Sequence, residues 1–159
     1  MAKLYLDSSV IVKRYVEETG SESVSLIYNK SDVQKLTLCF SIWNIGEVIG
    51  VIDHYQKRNW ITEDQGKNAR VNLASETLRL LKFEALELLN LNSAILTESW
   101  ELIRKYHMYQ ADALQIVECR RGGADLLVSA DKALLQVAER EGLTGVNVEN
   151  ESEVRKQII

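Results

Sequence analysis

Short apolar runs alternate with longer stretches of helical periodicity along this chain. The apolar runs predict strands at 3–7, 36–39, 86–91, 124–129 and 145–148. Between them, the clearest helical stretch follows a cap at Ser41 and places apolar side chains on one face at Ile45, Val48, Ile49 and Ile52. Strands that alternate with helices predict an α/β fold, with a mainly parallel sheet flanked by helices on both sides.

Other helices are indicated by their ends as well as by their periodicity. Thr62 and Gln65 have the spacing of a capping box, and Gly122 or Gly123 can supply a left-handed end to a helix. On this basis helices are predicted at 8–15, 21–29, 41–58, 62–82, 93–106, 111–121 and 131–140. A chain of 159 residues without repeats or linkers predicts one domain, spanning 1–159.

Charge and composition narrow the function classes. The 23 acidic residues exceed the 19 basic residues, so no overall positive field attracts a polyanion, and any nucleic-acid contact must be local. No apolar run reaches the roughly 18 residues that cross a bilayer, and no secretory signal is visible. We therefore expect no membrane association and a cytoplasmic location, with Cys39 and Cys119 as reduced core thiols.

Four carboxylates fall where an α/β sheet binds ligands, outside the carboxyl ends of its strands. Asp7 ends the first predicted strand, and Asp131 closely follows the fourth. Asp112 lies in the first turn of a predicted helix, and Glu47 lies among the buried positions of the helix that carries it. If the first and fourth strands are neighbours, Asp7 and Asp131 point into the same crevice.

Each carboxylate also has an ordinary structural explanation. Asp7 and Asp131 can cap helices, and Asp112 can favour the positive end of a helix dipole. Glu47 can be a boundary residue of its helix. Four anions at one rim would repel each other unless a divalent cation neutralised them. Hard oxygen ligands suit Mg²⁺ or Mn²⁺, so their convergence favours a metal site.

The sequence disfavours several other chemistries. His54 and His107 have no second histidine at ligand spacing, so we expect both to be surface or packing residues. The chain lacks the GxxxxGK[ST] and GxGxxG motifs of nucleotide binding. A phosphatase of the haloacid-dehalogenase type would need an aspartate where Ser9 stands, and a receiver domain would need paired acids at the first strand. Metal-assisted phosphodiester hydrolysis remains, since acidic ligands are all that it requires of the protein.

The acids lie in four segments that resemble the motifs of the PIN domain family and, within it, the small VapC-like toxin ribonucleases. The segments are YLDSSVIVK at 5–13, Ser41 followed by Glu47, ADALQ at 111–115, and VSAD at 128–131. They occur in the order of the family's motifs and span nearly the whole chain. Thr19, where relatives frequently carry proline, and Ser129, where threonine is also common, are small departures outside the acids.

This resemblance implies a Mg²⁺- or Mn²⁺-dependent endoribonuclease. The implied metal ligands and catalytic residues are Asp7, Glu47, Asp112 and Asp131. Ser8 and Ser129 would support them through hydrogen bonds. The resemblance also implies an RNA substrate, a homodimer, and silencing by a small antitoxin protein.

Three basic residues stand close to the acids in sequence. Lys13, Arg14 and Lys132 could contact phosphates, although they could equally lie on solvated helix faces. Two other functions stay open. One is a non-catalytic PIN-like interaction module. The loss of one or more of the four acids would indicate such a module, and all four are present. The other is a PIN nuclease that acts in RNA processing and is not a toxin.

Overall fold

The computed structural model describes residues 1–158, and within them five strands form one parallel sheet in the order β3-β2-β1-β4-β5. The strands are β1 (Ala2–Leu6), β2 (Leu36–Ser41), β3 (Leu86–Leu89), β4 (Leu126–Ser129) and β5 (Gly145–Asn147). The helices are α1 (Ser8–Val12), α2 (Ser21–Asp32), α3 (Ile42–Lys57), α4 (Glu63–Lys82), α5 (Ser93–Tyr106), α6 (Gln110–Arg121), α7 (Lys132–Arg140) and α8 (Glu151–Gln157). Helices cover both faces of the sheet, so the predicted fold class is confirmed.

Two apolar cores lie on opposite faces of the sheet, because neighbouring side chains along a strand point in opposite directions. In β1, Leu4 and Leu6 belong to the core shared with α1, α2, α3, α4 and α8. Tyr5 belongs to the core shared with α5, α6 and α7. Helix α6 is buried over the consecutive residues 113–119, which makes it the central helix of the second layer.

Helix ends follow the predicted signals at several points. Thr62 Oγ1 accepts a hydrogen bond from the Gln65 amide at 3.1 Å, and Gln65 Oε1 accepts one from the Thr62 amide at 2.7 Å. This capping box starts α4. After α6, Gly123 adopts φ of +61°, a left-handed conformation that glycine enters without a Cβ clash.

The elements differ most from the prediction at two helices, and β3 and β4 are each two residues shorter than the predicted strands 86–91 and 124–129. Helix α1 ends at Val12, so Tyr15 lies beyond it. The chain turns after Val12, where Ser21 Oγ donates to the Lys13 carbonyl at 2.8 Å. Helix α8 was not predicted, since it is short and buries Val154 alone. The predicted domain limit at Ile159 lies outside the described residues.

Cys39 and Cys119 are buried free thiols, as predicted. Within residues 1–158, no helix is both long enough and apolar enough to cross a membrane.

The sheet register determines which side chains meet at its carboxyl edge. Leu6 of β1 pairs with Val128 of β4, so the next residues, Asp7 and Ser129, lie side by side. Helices α1, α3 and α7 begin directly after β1, β2 and β4, at the same edge. This edge is where ligands bind in open parallel sheets.

Candidate active site

All four predicted acids lie at the carboxyl edge of the sheet. Asp7 and Asp131 cap α1 and α7 just after the neighbouring strands β1 and β4. Glu47 lies in the second turn of α3, and Asp112 lies in the first turn of α6. Burial raises the pKa of Asp112, and the charges of Asp131 and Glu47 raise it further. Carboxylates from four separate parts of the sequence are therefore within electrostatic range of one another.

Asp7 is the buried member of this group, with 4% of its surface exposed. Its Oδ1 accepts from Ser9 Oγ at 2.6 Å and from the Val10 amide at 3.1 Å, and its Oδ2 accepts from Ser129 Oγ at 2.5 Å. Burial nevertheless raises the pKa of Asp7 from 3.8 to about 6. The hydrogen bonds oppose this rise, and the charge of Asp131 adds to it. Asp7 is thus fixed in position while its ionised form is disfavoured.

Glu47 is half-buried and is held by neutral donors. Ser8 Oγ and Gln115 Nε2 both donate to Glu47 Oε2, the second at 2.9 Å. Asn44 Nδ2 donates to Ser8 Oγ at 3.0 Å, which orients the serine proton towards Glu47. Side chains from α1 and α6 therefore converge on one carboxylate oxygen of α3.

Asp131 and Asp112 are held more loosely. Asp131 is exposed, and its Oδ1 accepts from the amides of Ala133 and Leu134 at 2.8 and 3.1 Å, as a helix cap does. Asp112 is half-buried and accepts no hydrogen bond from the residues that the structure describes. At these two positions, carboxylate oxygens are still available to a ligand.

Two hydroxyl groups connect α1 with the turn between β4 and α7. Ser129 Oγ donates to Asp7 and accepts from the Asp131 amide at 2.9 Å. Ser9 Oγ also donates to Asp7 and accepts from the Ala130 amide at 3.0 Å. The backbone of the turn at Asp131 is therefore tied to Asp7 by short hydrogen bonds, whereas the Asp131 side chain is exposed.

A buried polar network lies behind Glu47. The Tyr5 hydroxyl oxygen is 3.0 Å from Asn44 Oδ1, 2.9 Å from Gln115 Oε1 and 2.8 Å from Glu118 Oε2. Asn44 Nδ2 also donates to Gln115 Oε1 at 2.8 Å. One phenolic proton cannot serve three acceptor oxygens, so another group in the network must carry a proton.

Glu118 is the acid in this network whose surroundings favour the protonated form. It is fully buried, and burial raises its pKa against the opposing effect of hydrogen bonds with Tyr5 and Ser41. Its Oε1 has no hydrogen-bond partner in the described part of the chain. A protonated Glu118 can donate to the Tyr5 oxygen, which frees the Tyr5 proton for an amide oxygen. The hydrogen bonds then run in one direction, from Glu118 through Tyr5 and Gln115 to Glu47.

The donor set suits a divalent cation, but the acids are not gathered into a closed cage. Among residues 1–158, no three His, Cys, Asp or Glu side chains are grouped so that they could hold a metal ion. The oxygen ligands at this edge are nevertheless those that Mg²⁺ and Mn²⁺ prefer. Burial is the main cause of the raised pKa values of Asp7 and Asp112, and the charges of neighbouring acids add to it; a cation would relieve that repulsion.

The three basic residues next to the acids lie in different surroundings. Lys13 is buried, and its Nζ pairs with Glu18 at 3.1 Å and Glu149 at 3.0 Å. Arg14 binds Glu76 through Nε and Nη2. Lys132 is exposed beside Asp131. Two of the three cations are thus already engaged by carboxylates, and neither lies on a freely solvated helix face.

Five residues at the site had no role in the sequence prediction. They are Tyr5, Ser9, Asn44, Gln115 and Glu118. Gln115 and Glu118 carry a detectable signal, since they are polar, three positions apart, and the two polar residues of the otherwise apolar run 113–119 of α6. The contacts of the other three depend on how distant segments pack.

The sequence matches the family model described as the PIN domain over residues 4–140, which is most of the chain. The chain belongs to the PIN domain family. No curated protein matches it. The predicted resemblance to this family is therefore confirmed.

Solved structures share the architecture of this PIN domain at low sequence identity. FitAcB from Neisseria gonorrhoeae is 13% identical, with a TM-score of 0.64 over 92% of this chain and 99% of the other. Mycobacterium tuberculosis VapC20, a sarcin-ricin loop cleaving toxin, is 13% identical, with a TM-score of 0.64 over 84% and 94%. Rickettsia felis VapBC2 bound to a DNA fragment from their promoter is 14% identical, with a TM-score of 0.59 over 91% and 98%.

Proposed function

We propose that this PIN domain is an endoribonuclease that hydrolyses RNA phosphodiester bonds with Mg²⁺ or Mn²⁺, and that it is the toxin of a toxin-antitoxin pair. The observation that carries the proposal is the convergence of four carboxylates at the carboxyl edge of the sheet, where Asp7 and Asp112 have raised pKa values. Similarity to VapC20, a toxin that cleaves the sarcin-ricin loop, supports RNA as the substrate.

The proposed metal ligands are Asp7, Glu47, Asp112 and Asp131, and a bound cation there would activate water and stabilise the leaving oxygen. Ser8 and Ser129 support two of these acids through the hydrogen bonds described above. Because no three acids are yet gathered, we expect a cation to draw the loosely held Asp112 and Asp131 inwards. Lys132 is the basic neighbour best exposed for phosphate contact.

Metal binding has a readout independent of cleavage. A cation that binds only the folded state stabilises it by about 2.7 kcal/mol at a hundredfold excess over Kd. The melting temperature should rise with added Mn²⁺, and Asp112→Asn should weaken that rise. Asp53→Asn is the matched control, because Asp53 is an exposed acid of α3 paired with Lys57. Equal responses of both variants and the wild type would contradict the proposed ligand set.

Substrate class is tested by incubating the purified protein with total RNA and with plasmid DNA in Mg²⁺ or Mn²⁺. We expect cleavage of RNA by the wild type and by Asp53→Asn, and none by Asp112→Asn purified in the same way. Cleavage confined to DNA would overturn the ribonuclease assignment. Absence of both cleavage and a metal response would favour the non-catalytic interaction module.

The proposal includes a homodimer, a small antitoxin and a cytoplasmic location, as the family resemblance implies. The acidic edge suits an antitoxin that carries arginine, because a guanidinium binds a carboxylate through two hydrogen bonds. Light scattering at micromolar concentration tests the dimer, and a monomer would contradict it. An open reading frame immediately upstream that encodes a small DNA-binding protein would distinguish a toxin from an RNA-processing nuclease.

A further inference from the structure

A cleft of about 360 Å³ lies between the segment after α1 and the start of α4. Its walls include Tyr15 and Val16 on one side and Trp60 and Ile61, in the turn between α3 and α4, on the other. Trp60 is 61% exposed even though the Arg58 guanidinium and the Tyr55 ring each lie 5.3 Å from its ring centroid. A large aromatic surface is thus presented to solvent at the mouth of a cleft.

The lining of the cleft is rich in amides. Gln65, Asn68 and Asn72 follow one another along one face of α4 and line the cleft together. All three side chains are exposed. Amide groups both donate and accept hydrogen bonds, so Asn68 and Asn72 can pair with the mixed donor and acceptor edge of a nucleobase. Gln65 offers its Nε2 donors, because its Oε1 accepts from the Thr62 amide.

One wall of the cleft lies near the carboxyl edge of the sheet, which is the edge that carries the acids. Lys13, which precedes Tyr15 by two residues, is paired with Glu149 at 3.0 Å. Glu149 follows the carboxyl end of β5 by two residues. The wall formed by Tyr15 and Val16 therefore lies near the carboxyl edge, where Asp7 caps α1.

We propose that this cleft, here called the α1–α4 cleft, binds an unpaired base of the RNA substrate by stacking on Trp60. The inference rests on the proposed ribonuclease function and names a substrate contact outside the acidic edge. Single-stranded nucleic acids are bound by aromatic side chains on which bases stack, with nearby arginines that attract the backbone. Arg58, held against Trp60, supplies the positive charge at this position.

The acid in the cleft gives the site a base preference. Glu17 lines the same cleft and is exposed. A carboxylate accepts hydrogen bonds from an exocyclic amino group, as glutamate does with N4 of cytosine. Uracil has no exocyclic amino group. We therefore expect tighter binding of oligocytidine and oligoadenosine than of oligouridine.

The test is fluorescence anisotropy of labelled 10-nucleotide RNAs with the full chain in EDTA, so that binding is measured without cleavage. Trp60→Ala should raise Kd about 5- to 150-fold, the range expected when a stacking aromatic is removed. Trp60→Phe should recover most of the affinity because it keeps an aromatic face. Glu17→Gln should reduce the preference for oligocytidine over oligouridine.

Trp100→Ala is the matched control. Trp100 is 53% exposed, similar to Trp60, but it lies on α5 in the layer on the opposite face of the sheet. The Trp100→Ala variant should bind RNA with the affinity of the wild type. Melting temperatures of all variants report whether a loss of affinity reflects unfolding.

Failure of the cleft and failure of the proposed function are distinguishable. If the wild type cleaves RNA in Mn²⁺ but Trp60→Ala binds RNA as tightly as Trp100→Ala, the cleft proposal is wrong and the function stands. If binding depends on Trp60 while no RNA is cleaved in Mn²⁺, the cleft is supported and the ribonuclease proposal fails. Wild-type protein that binds none of these RNAs would also overturn the cleft proposal.

Discussion

Asp7 and Asp131 occupy equivalent positions after neighbouring strands, and both cap helices, yet their surroundings differ sharply. Asp7 is buried and both of its oxygens accept hydrogen bonds from side chains or backbone. Asp131 is exposed, and its contacts are those of an ordinary cap. The site therefore has an inner half, Asp7 with Glu47, fixed by the fold, and an outer half, Asp112 with Asp131, that keeps oxygens available.

This contrast separates two requirements of the proposed reaction. Under the proposed function, the inner half would supply ligands whose positions do not depend on a cation, since serine and amide donors already hold them. The outer half would supply carboxylate oxygens that no side-chain donor among residues 1–158 holds. Preorganised groups lower the cost of assembling a site, whereas groups that still repel one another raise the affinity for a cation that relieves the repulsion.

The largest expected effect is the loss of activity in the inner half. Asp7→Asn should reduce RNA cleavage by at least about 100-fold, beyond the 10- to 100-fold typical of groups that only support a metal ligand. Asp131→Asn keeps the cap, since asparagine caps about as well as aspartate, and it should also reduce cleavage strongly. Initial cleavage rates in saturating Mn²⁺ measure both. Activity of Asp7→Asn close to that of wild type would show that the inner half is only structural.

The second effect concerns the stability of the metal-free protein. The pKa of Asp7 is about 6 in the folded state and 3.8 as its ordinary value, so between these pH values the folded state holds a proton that the unfolded state has lost. Stability therefore falls as pH rises through this window, by up to about 3 kcal/mol at pH 7. Asp7→Asn should recover that amount at pH 7 and little at pH 4.

Chemical denaturation at pH 4 and pH 7 in EDTA measures this difference. Asp131→Asn is the comparison, and its stability should stay within about 0.5 kcal/mol of wild type at both pH values. Equal pH profiles for wild type and Asp7→Asn would show that burial of Asp7 does not disfavour its charge.

A third, smaller effect is expected from the donor that holds Glu47. Gln115→Leu fills similar space but removes the hydrogen bond to Glu47 Oε2, so cleavage should fall about 10- to 100-fold. Gln136→Leu, at an exposed position of α7, is the control and should cleave at the wild-type rate. If Gln115 had only a structural role, Gln115→Leu would lower the melting temperature and leave the cleavage rate per folded molecule unchanged.

The smallest effect is predicted for Glu118. If Glu118 is protonated, Glu118→Gln replaces one neutral donor by another of similar shape, and stability should change by less than about 1 kcal/mol. Glu118→Ala should cost about 2 to 4 kcal/mol, because it opens a cavity and leaves Tyr5 without that partner. Denaturation at pH 7 compares the two. A loss for Glu118→Gln as large as that for Glu118→Ala would indicate a charged Glu118.

The contrast between Asp7 and Asp131 also marks the limit of what the sequence could predict. In the sequence, both residues are a carboxylate that follows an apolar strand closely. That pattern predicts that they meet if the two strands are neighbours, and β1 and β4 are neighbours in the sheet. The burial of Asp7 follows from packing of α1 and from the serines at positions 9 and 129, which lie far apart in sequence. Side-chain periodicity carries no information about such contacts between distant segments.

The polar network shows the same limit in another form. Alternation along β1 places Tyr5 on the face opposite Leu4 and Leu6, and this much follows from a period of two. That its hydroxyl meets Asn44 and Gln115 depends on how α3 and α6 cross the sheet. The turn after α1 escaped prediction for a related reason, since the Ser21 side chain ends the helix from outside it.

The continuous burial of α6 has a consequence for mutational tolerance. In a library that substitutes every position, residues 113–119 should form the longest intolerant block, since no face of that helix is open to solvent. On α4, by contrast, intolerant positions should recur every three or four residues, with tolerant positions between them, at Gly66, Ala69, Leu73, Thr77 and Leu80. A variant scan scored for folding alone would thus distinguish the two helices by the spacing of their intolerant positions.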